Sequence, residues 1–181
     1  GGGGGGIDSP RPASQRAAAF ILTAAMLITL AAPAFAKEWY IEDGDITVKA
    51  GETGNDVTQN NVTTKNDTDT IITNQNKDTA SSHTVTIEAK DKDDKVEVTL
   101  KDVNIDTSSR NNAAVSVTGS GNTTIKLDGD NALKSDTYRS GIYGSGSLTI
   151  SGGTVTANGD DGGRGIYSRG GVTISGGSTV T

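Results

Sequence analysis

Residues Gly141–Ala157 read GIYGSGSLTISGGTVTA, and residues Gly165–Thr181 read GIYSRGGVTISGGSTVT. The two segments align at an offset of 24 residues. In this alignment the aromatic and apolar positions coincide, and the pairs are Ile142 with Ile166, Tyr143 with Tyr167, Leu148 with Val172, Ile150 with Ile174 and, after a shift of one residue, Val155 with Val180. A period of this length is typical of proteins built from stacked units. The repeat therefore predicts a solenoid.

Threonine alternates with aliphatic residues in each unit, as in Leu148-Thr-Ile150. Period two places the aliphatic side chains on one face of a strand and threonine on the other. Each unit offers three short strands, near residues 141–143, 147–150 and 154–157, with glycine-rich corners between them. The predicted fold is all-β, a parallel β-helix (β-solenoid) of about 24–25 residues per coil, with coils stacked about 4.8 Å apart.

The same frame extends upstream, where Leu100, Ile125 and Ile150 are spaced by 25 residues. We expect regular coils over residues 90–181. Residues 37–89 show a weaker period and are interpreted as an N-terminal cap followed by irregular first coils. We expect the repeat to be truncated at its C-terminus, where an open strand edge would self-associate.

Residues 1–36 have the features of an export signal after an oligoglycine start that does not look native. Arg11 and Arg16 precede an uncharged run that ends in Ala34-Phe35-Ala36, the small-x-small pattern cut by signal peptidase. An uncleaved anchor is the alternative, because about 20 apolar residues can span a bilayer. We expect a secreted or bacterial cell-surface protein that meets the membrane only through this signal.

Composition excludes several classes of function. The formal net charge is −6, which argues against nucleic acid as a partner because phosphate binding requires a basic surface. The chain has no cysteine, so it has neither disulfides nor a cysteine-ligated zinc or iron–sulfur site.

Acidic residues cluster with Gly and Asn at the corners. Asp128 and Asp130 flank Gly129, and Asp160 and Asp161 are adjacent. Carboxylate and carbonyl oxygens are the ligands that calcium prefers, so these four aspartates are candidate metal ligands and calcium is a candidate cofactor. None fits the twelve-residue EF-hand loop, and the alternative is that they are solvated corner residues.

Tyr143 and Tyr167 occupy equivalent positions one coil apart. Alternation allows one residue of each Ile-Tyr pair to point inward, and we favour the isoleucine. The two tyrosines would then form an exposed ladder suited to the apolar faces of sugar rings. Arg139 and Arg164 lie nearby in sequence and complete the candidate ligand-binding set, with hydrogen bonds to hydroxyl or carboxylate groups.

Signals for catalysis are weak. His83 is the only histidine, and no G-x-S-x-G nucleophile motif is present. Glycosidase chemistry needs two carboxylates about 5–10 Å apart across a cleft, which adjacent aspartates do not establish. Thr-x-Thr pairs do not form the extended array of an ice-binding surface. We expect a protein that is not an enzyme.

The phrases WYIEDGDITVKA, HTVTIEA, VEVTLKDVNIDTS, AAVSVTGSGNTTIKLDGDNALKS and GSLTISGGTVTA resemble a family of bacterial exported proteins described as carbohydrate-binding-domain or adhesin-like cell-surface proteins. The resemblance covers Trp39 to Thr181. It implies a right-handed parallel β-helix akin to pectate-lyase-like folds, and for some relatives the binding of acidic polysaccharide with calcium.

The sequence thus predicts an exported, non-enzymatic, adhesin-like protein whose partner is a polysaccharide or a cell-surface glycan. Two alternatives remain open. One is a polysaccharide lyase or glycoside hydrolase of pectate-lyase-like fold, and the other is a structural stalk or surface-layer component.

Overall fold

The computed structural model describes residues 28–30, 37–136, 139–159 and 163–181. The chain divides into two compact units, one of Gly1–Leu30 with Asn61–Thr63 and one of Ala31–Asn60 with Thr64–Thr181. Strand β1 (Ile28–Leu30) belongs to the first unit. The second unit holds the candidate site and is the one considered below.

The remaining described elements follow in chain order. They are β2 (Lys37–Tyr40), a one-turn 3₁₀ helix (Ile41–Asp43), β3 (Ile46–Ala50), β4 (Asn55–Gln59), β5 (Val62–Asp67), β6 (Thr70–Thr73), β7 (Val85–Glu88), β8 (Lys95–Lys101), β9 (Asn104–Asp106), β10 (Val115–Thr118), β11 (Asn122–Lys134), β12 (Ile142–Gly144), β13 (Ser147–Asn158), β14 (Ile166–Ser168), β15 (Val172–Ser175) and β16 (Thr179–Val180). In the described part of the chain, no helix is both long and apolar enough to span a membrane.

These strands form two long sheets. The first sheet runs β4-β3-β7-β10-β12-β14, and the second runs β2-β6-β8-β11-β13-β15. Strands β9 and β16 pair with the second halves of β11 and β13. From β7 to β16 the pairings are parallel, whereas β3 and β4 form an antiparallel hairpin. The chain is therefore an all-β solenoid of about 4 turns, which confirms the predicted fold class.

Each regular coil contains one short strand of the first sheet, followed by a strand that passes around a corner. The second and third strands predicted for the coil at 142–158 are one continuous strand, β13. Gly129 and Gly152 mark the corner in β11 and β13, with φ of 70° and 81°. Glycine adopts this left-handed conformation without the Cβ clash of other residues, so the chain turns while most of its ladder persists.

The core is a narrow column of aliphatic side chains. In the first sheet Ile46, Val85, Val115, Ile142 and Ile166 stack in register. The first four are 0–1% exposed. Burial of such columns, together with the parallel backbone ladder, supplies the stability that disulfides cannot provide here.

The register of the C-terminal repeats is confirmed at every predicted pair, including Val155 with Val180. The upstream prediction that Leu100 stacks on Ile125 is wrong. Ile125 pairs with Val98, two residues earlier. Val98 and Leu100 both point inward. A shift of two residues in the pairing register keeps the same side chains on the core face, so the hydrophobic pattern of the sequence does not reveal it.

Coil length also changes along the chain. The residues that stack on one another in the first sheet are separated in sequence by 30, 27 and 24 residues, from Val85 to Val115, Ile142 and Ile166. The additional residues lie in the turns between coils, where extra length alters neither the ladder nor the core. A fixed 24–25-residue frame therefore holds only for the last coils.

Asn131 joins three neighbouring coils from inside the solenoid and is 2% exposed. Its Oδ1 accepts the Val103 N–H at 2.8 Å, and its Nδ2 donates to the Asp128 and Thr154 carbonyls at 3.3 and 3.2 Å. These bonds satisfy backbone groups at the corner, where the Asp128 carbonyl also accepts a hydrogen bond from the Asp102 N–H at 3.0 Å. The buried amide thus stabilises the bend of β11.

The last strand of the second sheet presents apolar side chains to solvent. Val172 and Ile174 stack on Leu148 and Ile150, but are 39% and 49% exposed. Self-association through this edge stays a prediction.

Candidate tyrosine flank

The candidate site lies on the outward face of the first sheet, around Tyr143 and Tyr167. Strands β12 and β14 are three residues long. Because side chains alternate, each of these strands offers one central outward position. In β12, Ile142 and Gly144 are buried and Tyr143 is exposed.

The two tyrosine rings stack. Tyr143 and Tyr167 are in register, their ring centroids are 5.5 Å apart, and their planes differ by 22°. Tyr143 is 44% exposed while its neighbour Ile142 is 0% exposed, so the predicted orientation is confirmed for this pair. In the second pair Ile166 and Tyr167 are both partly exposed. In-register parallel pairing places like residues one above the other, which produces the ladder.

The two candidate arginines lie in different environments. The guanidinium carbon of Arg164 lies 4.9 Å from the centroid of the Tyr167 ring, within the range of a cation–π contact. Arg139 donates from Nη2 to Asn111 Oδ1 at 3.0 Å, and its Nε lies 3.9 Å from Asp136 Oδ1. The structure therefore brings Arg164 to the tyrosines and directs Arg139 to the neighbouring turns.

Two glycines allow a close backbone approach at the turns that lead into β12 and β14. A Cβ on Gly141 would lie 2.7 Å from the carbonyl oxygen of Leu133, and one on Gly165 would lie 2.6 Å from that of Ala157. Any side chain here would force backbone atoms apart. The G-I-Y motif thus encodes a tight corner, an inward anchor and an outward ring.

An ion pair closes the corner at the other end of this sheet. Arg110 donates to both carboxylate oxygens of Asp45, at 2.8 and 3.2 Å, and to the Ser82 carbonyl at 3.0 Å. The Thr84 N–H donates to Asp45 at 2.8 Å. The hydrogen bond from Arg110 is the main cause that holds the pKa of Asp45 below its ordinary value.

We expect Asp45→Asn to flatten the dependence of stability on pH in the acid range. A lowered pKa in the folded state means that Asp45 stabilises the fold above its ordinary pKa of 3.8, and that this contribution is lost as pH falls through the folded value. The difference in unfolding free energy between wild type and variant should be constant above about pH 5 and shrink below about pH 4. Urea unfolding across this range measures it. A difference that stays constant throughout would contradict the assignment.

The candidate metal ligands divide into two groups. Asp128 and Asp130 are exposed at the corner of β11, where the Asp130 N–H donates to Asp102 Oδ1 at 3.1 Å. Asp160 and Asp161 lie outside the described residues. Within the described ranges, no group of three or more His, Cys, Asp or Glu residues could hold a metal ion. Calcium binding stays a prediction.

His83 does not form a catalytic pair with Ser81. Its Nδ1 lies 2.9 Å from the Ile41 carbonyl oxygen and 3.4 Å from Ser81 Oγ. The carbonyl can only accept, so the hydrogen-bond network assigns the proton to Nδ1. A protonated Nδ1 cannot remove the hydroxyl proton of Ser81, which is itself 8% exposed.

A separate polar cleft of about 310 Å³ lies between residues 51–55, residues 67–70 and one side of β8. Asp67, in its wall, is 2% exposed. It accepts hydrogen bonds from Trp39 Nε1 at 3.0 Å and from the Asp69 N–H at 3.2 Å. This cleft could not be predicted from the sequence, because it depends on the irregular coil that contains the β3–β4 hairpin.

A set of hydroxyl side chains in register with the tyrosines was not predicted from the sequence. The same outward position is occupied in β4, β3, β7 and β10 by Thr58, Thr47, Thr86 and Ser116. The sequence pattern that could have revealed them is a set of tripeptides whose central residue points outward, namely ITV, VTI, VSV, IYG and IYS. Irregular coil lengths concealed their equivalence.

No protein-family model matches this chain, and neither the curated proteins nor the solved structures contain a match.

Proposed function

We propose that this chain is an exported, non-enzymatic cell-surface protein that binds carbohydrate, in an adhesin-like role. The observation that supports this proposal is the stacked pair of Tyr143, which is exposed, and Tyr167, which is partly exposed. The two rings turn one face toward each other, so a sugar contacts their outward edges while their hydroxyls remain available for hydrogen bonds. Arg164 lies beside this pair and adds donors for hydroxyl or acidic groups.

The backbone beneath the rings favours binding because it is already ordered. The tyrosines rise from in-register parallel strands over the buried Ile142. A preorganised surface loses little conformational entropy when a ligand binds. Repetition along the coils then allows weak contacts to act together at high effective concentration.

A polysaccharide-cleaving enzyme is the second candidate, and the polar cleft beside β8 favours it. Glu52, Asp67, Asp69 and Glu97 line that cleft together with Lys95. Such an enzyme would use a carboxylate or lysine there, away from the tyrosines. A structural stalk would use neither surface.

The purified chain should be tested for retention on a panel of acidic and neutral polysaccharides, with calcium and with chelator, while the same mixtures are assayed for cleavage. We expect retention without cleavage. Release of shortened products would favour the enzyme, and neither retention nor cleavage would favour the stalk. Loss of retention with chelator would direct Asp→Asn substitutions to Asp128, Asp130, Asp160 and Asp161.

A further inference from the structure

One outward column of the first sheet carries a hydroxyl group on every coil. Thr58 is in register with Thr47, Thr47 with Thr86, Thr86 with Ser116, Ser116 with Tyr143, and Tyr143 with Tyr167. We call these six residues the hydroxyl ladder. It continues the tyrosine pair without interruption toward the N-terminal coils.

The ladder is open to a ligand along its length. Thr47, Thr86 and Ser116 are partly exposed, whereas their strand neighbours Val85 and Val115 are 0% exposed. Alternation along each strand fixes this direction, so the hydroxyls cannot turn into the core.

Four charged residues beside the N-terminal half of the ladder form two pairs of opposite charge, and Asp56, the register partner of Lys49, adds a further carboxylate. On one side Lys49 Nζ lies 3.7 Å from Glu88 Oε1, and on the other Arg110 pairs with Asp45 at 2.8 Å. The ladder between them offers neutral hydrogen-bonding groups. An uncharged, hydroxyl-rich ligand fits this half better than an ionic one.

Geometry sets the direction of such a ligand. Strands β12 and β14 provide one outward ring each. A ligand that runs parallel to a strand would therefore contact a single ring. Successive rungs are about 4.8 Å apart, close to the length of one sugar residue in an extended polysaccharide. A glycan that follows the solenoid axis therefore meets one side chain of the ladder for each sugar.

We propose that the ligand is an extended, unbranched, neutral glycan that lies along the solenoid axis with one sugar per coil. Its sugars contact the outward edges of the stacked Tyr143 and Tyr167 rings, and its hydroxyls form hydrogen bonds with Ser116, Thr86 and Thr47. This inference rests on the proposed function. It adds the orientation of the chain, a neutral ligand class, and a site six sugars long.

Cello-oligosaccharides and xylo-oligosaccharides, from disaccharide to octasaccharide, are the probes, and calorimetric titration of the full chain is the measurement. Affinity should rise with each sugar up to the hexasaccharide and then level off. Thr86→Val and Ser116→Ala should each weaken binding of the pentasaccharide about fivefold, the usual contribution of one hydrogen bond, and leave the disaccharide unaffected.

Thr124→Val is the matched control, because Thr124 points outward from the second sheet in register with Thr149. Circular dichroism and urea unfolding of each variant confirm that the fold is retained. The axial arrangement would be overturned if affinity did not depend on oligosaccharide length, or if Thr86→Val and Ser116→Ala bound the pentasaccharide as tightly as the wild type. Neither result would contradict binding at the tyrosines. Failure to bind either oligosaccharide series, with retention on the polysaccharide panel, would overturn the neutral ligand class. Failure in both experiments would overturn the proposed function as well.

Discussion

Replacement of Ile125 by alanine is expected to lower the free energy of unfolding of this chain by about 3 kcal/mol. Ile125 is 0% exposed and pairs with Val98 on one side and Ile150 on the other. Removing its outer carbons leaves a cavity between coils whose backbones are fixed by the parallel ladder, so the gap cannot close fully. Urea denaturation followed by circular dichroism measures the loss.

The neighbouring Thr124 is the matched control, since it lies on the opposite face of the same strand. Thr124→Ala should change the unfolding free energy by no more than about 0.5 kcal/mol. A Thr124→Ala variant as damaged as Ile125→Ala would show that the inward and outward faces of β11 are assigned wrongly.

Loss of both tyrosine rings is expected to weaken glycan binding about a hundredfold, and loss of either ring about tenfold, or ~1.4 kcal/mol. Each ring supplies part of the platform, and each also holds its neighbour in place through the 5.5 Å stack. The test compares Tyr143→Ala, Tyr167→Ala and the double variant by titration with the polysaccharide that the chain retains.

Two sets of variants separate binding from folding. Tyr143→Phe and Tyr167→Phe keep the rings and should retain most of the affinity. Tyr40→Ala removes a ring of comparable exposure, 36%, from the second sheet. This variant should bind as the wild type does, because β2, the strand that contains Tyr40, belongs to the other sheet from the ladder. An unfolded double variant would be uninformative by itself, so the phenylalanine pair carries the comparison. Unchanged affinity in a folded double alanine variant would contradict the proposed site.

The sequence predicted most of the regular fold because one physical pattern governs it. Period-two alternation identified which residues of the last coils point inward, and the repeat itself gave their register. The same pattern failed at Leu100, because Val98 and Leu100 are equivalent by face and only the backbone ladder distinguishes them. The β3–β4 hairpin was missed because it interrupts the period.

The candidate site could be predicted only where it depends on alternation. The outward direction of Tyr143 followed from the inward direction of Ile142. The partners of Arg139 could not be predicted in this way, because Asn111 is 28 residues away in sequence and is brought near by a turn of irregular length. For the same reason Thr86 and Ser116 could not be aligned with the tyrosines before the coil lengths were known.

The central claim is that a glycan contacts the stacked tyrosines. Nuclear magnetic resonance of the chain with ¹³C-labelled tyrosine rings tests it most directly, with the polysaccharide that the chain retains, cut into soluble fragments, as titrant. The ring signals of Tyr143 and Tyr167 should shift together and saturate at the same ligand concentration, while the signals of Tyr40 stay in place. Binding that leaves the Tyr143 and Tyr167 signals unmoved would contradict it.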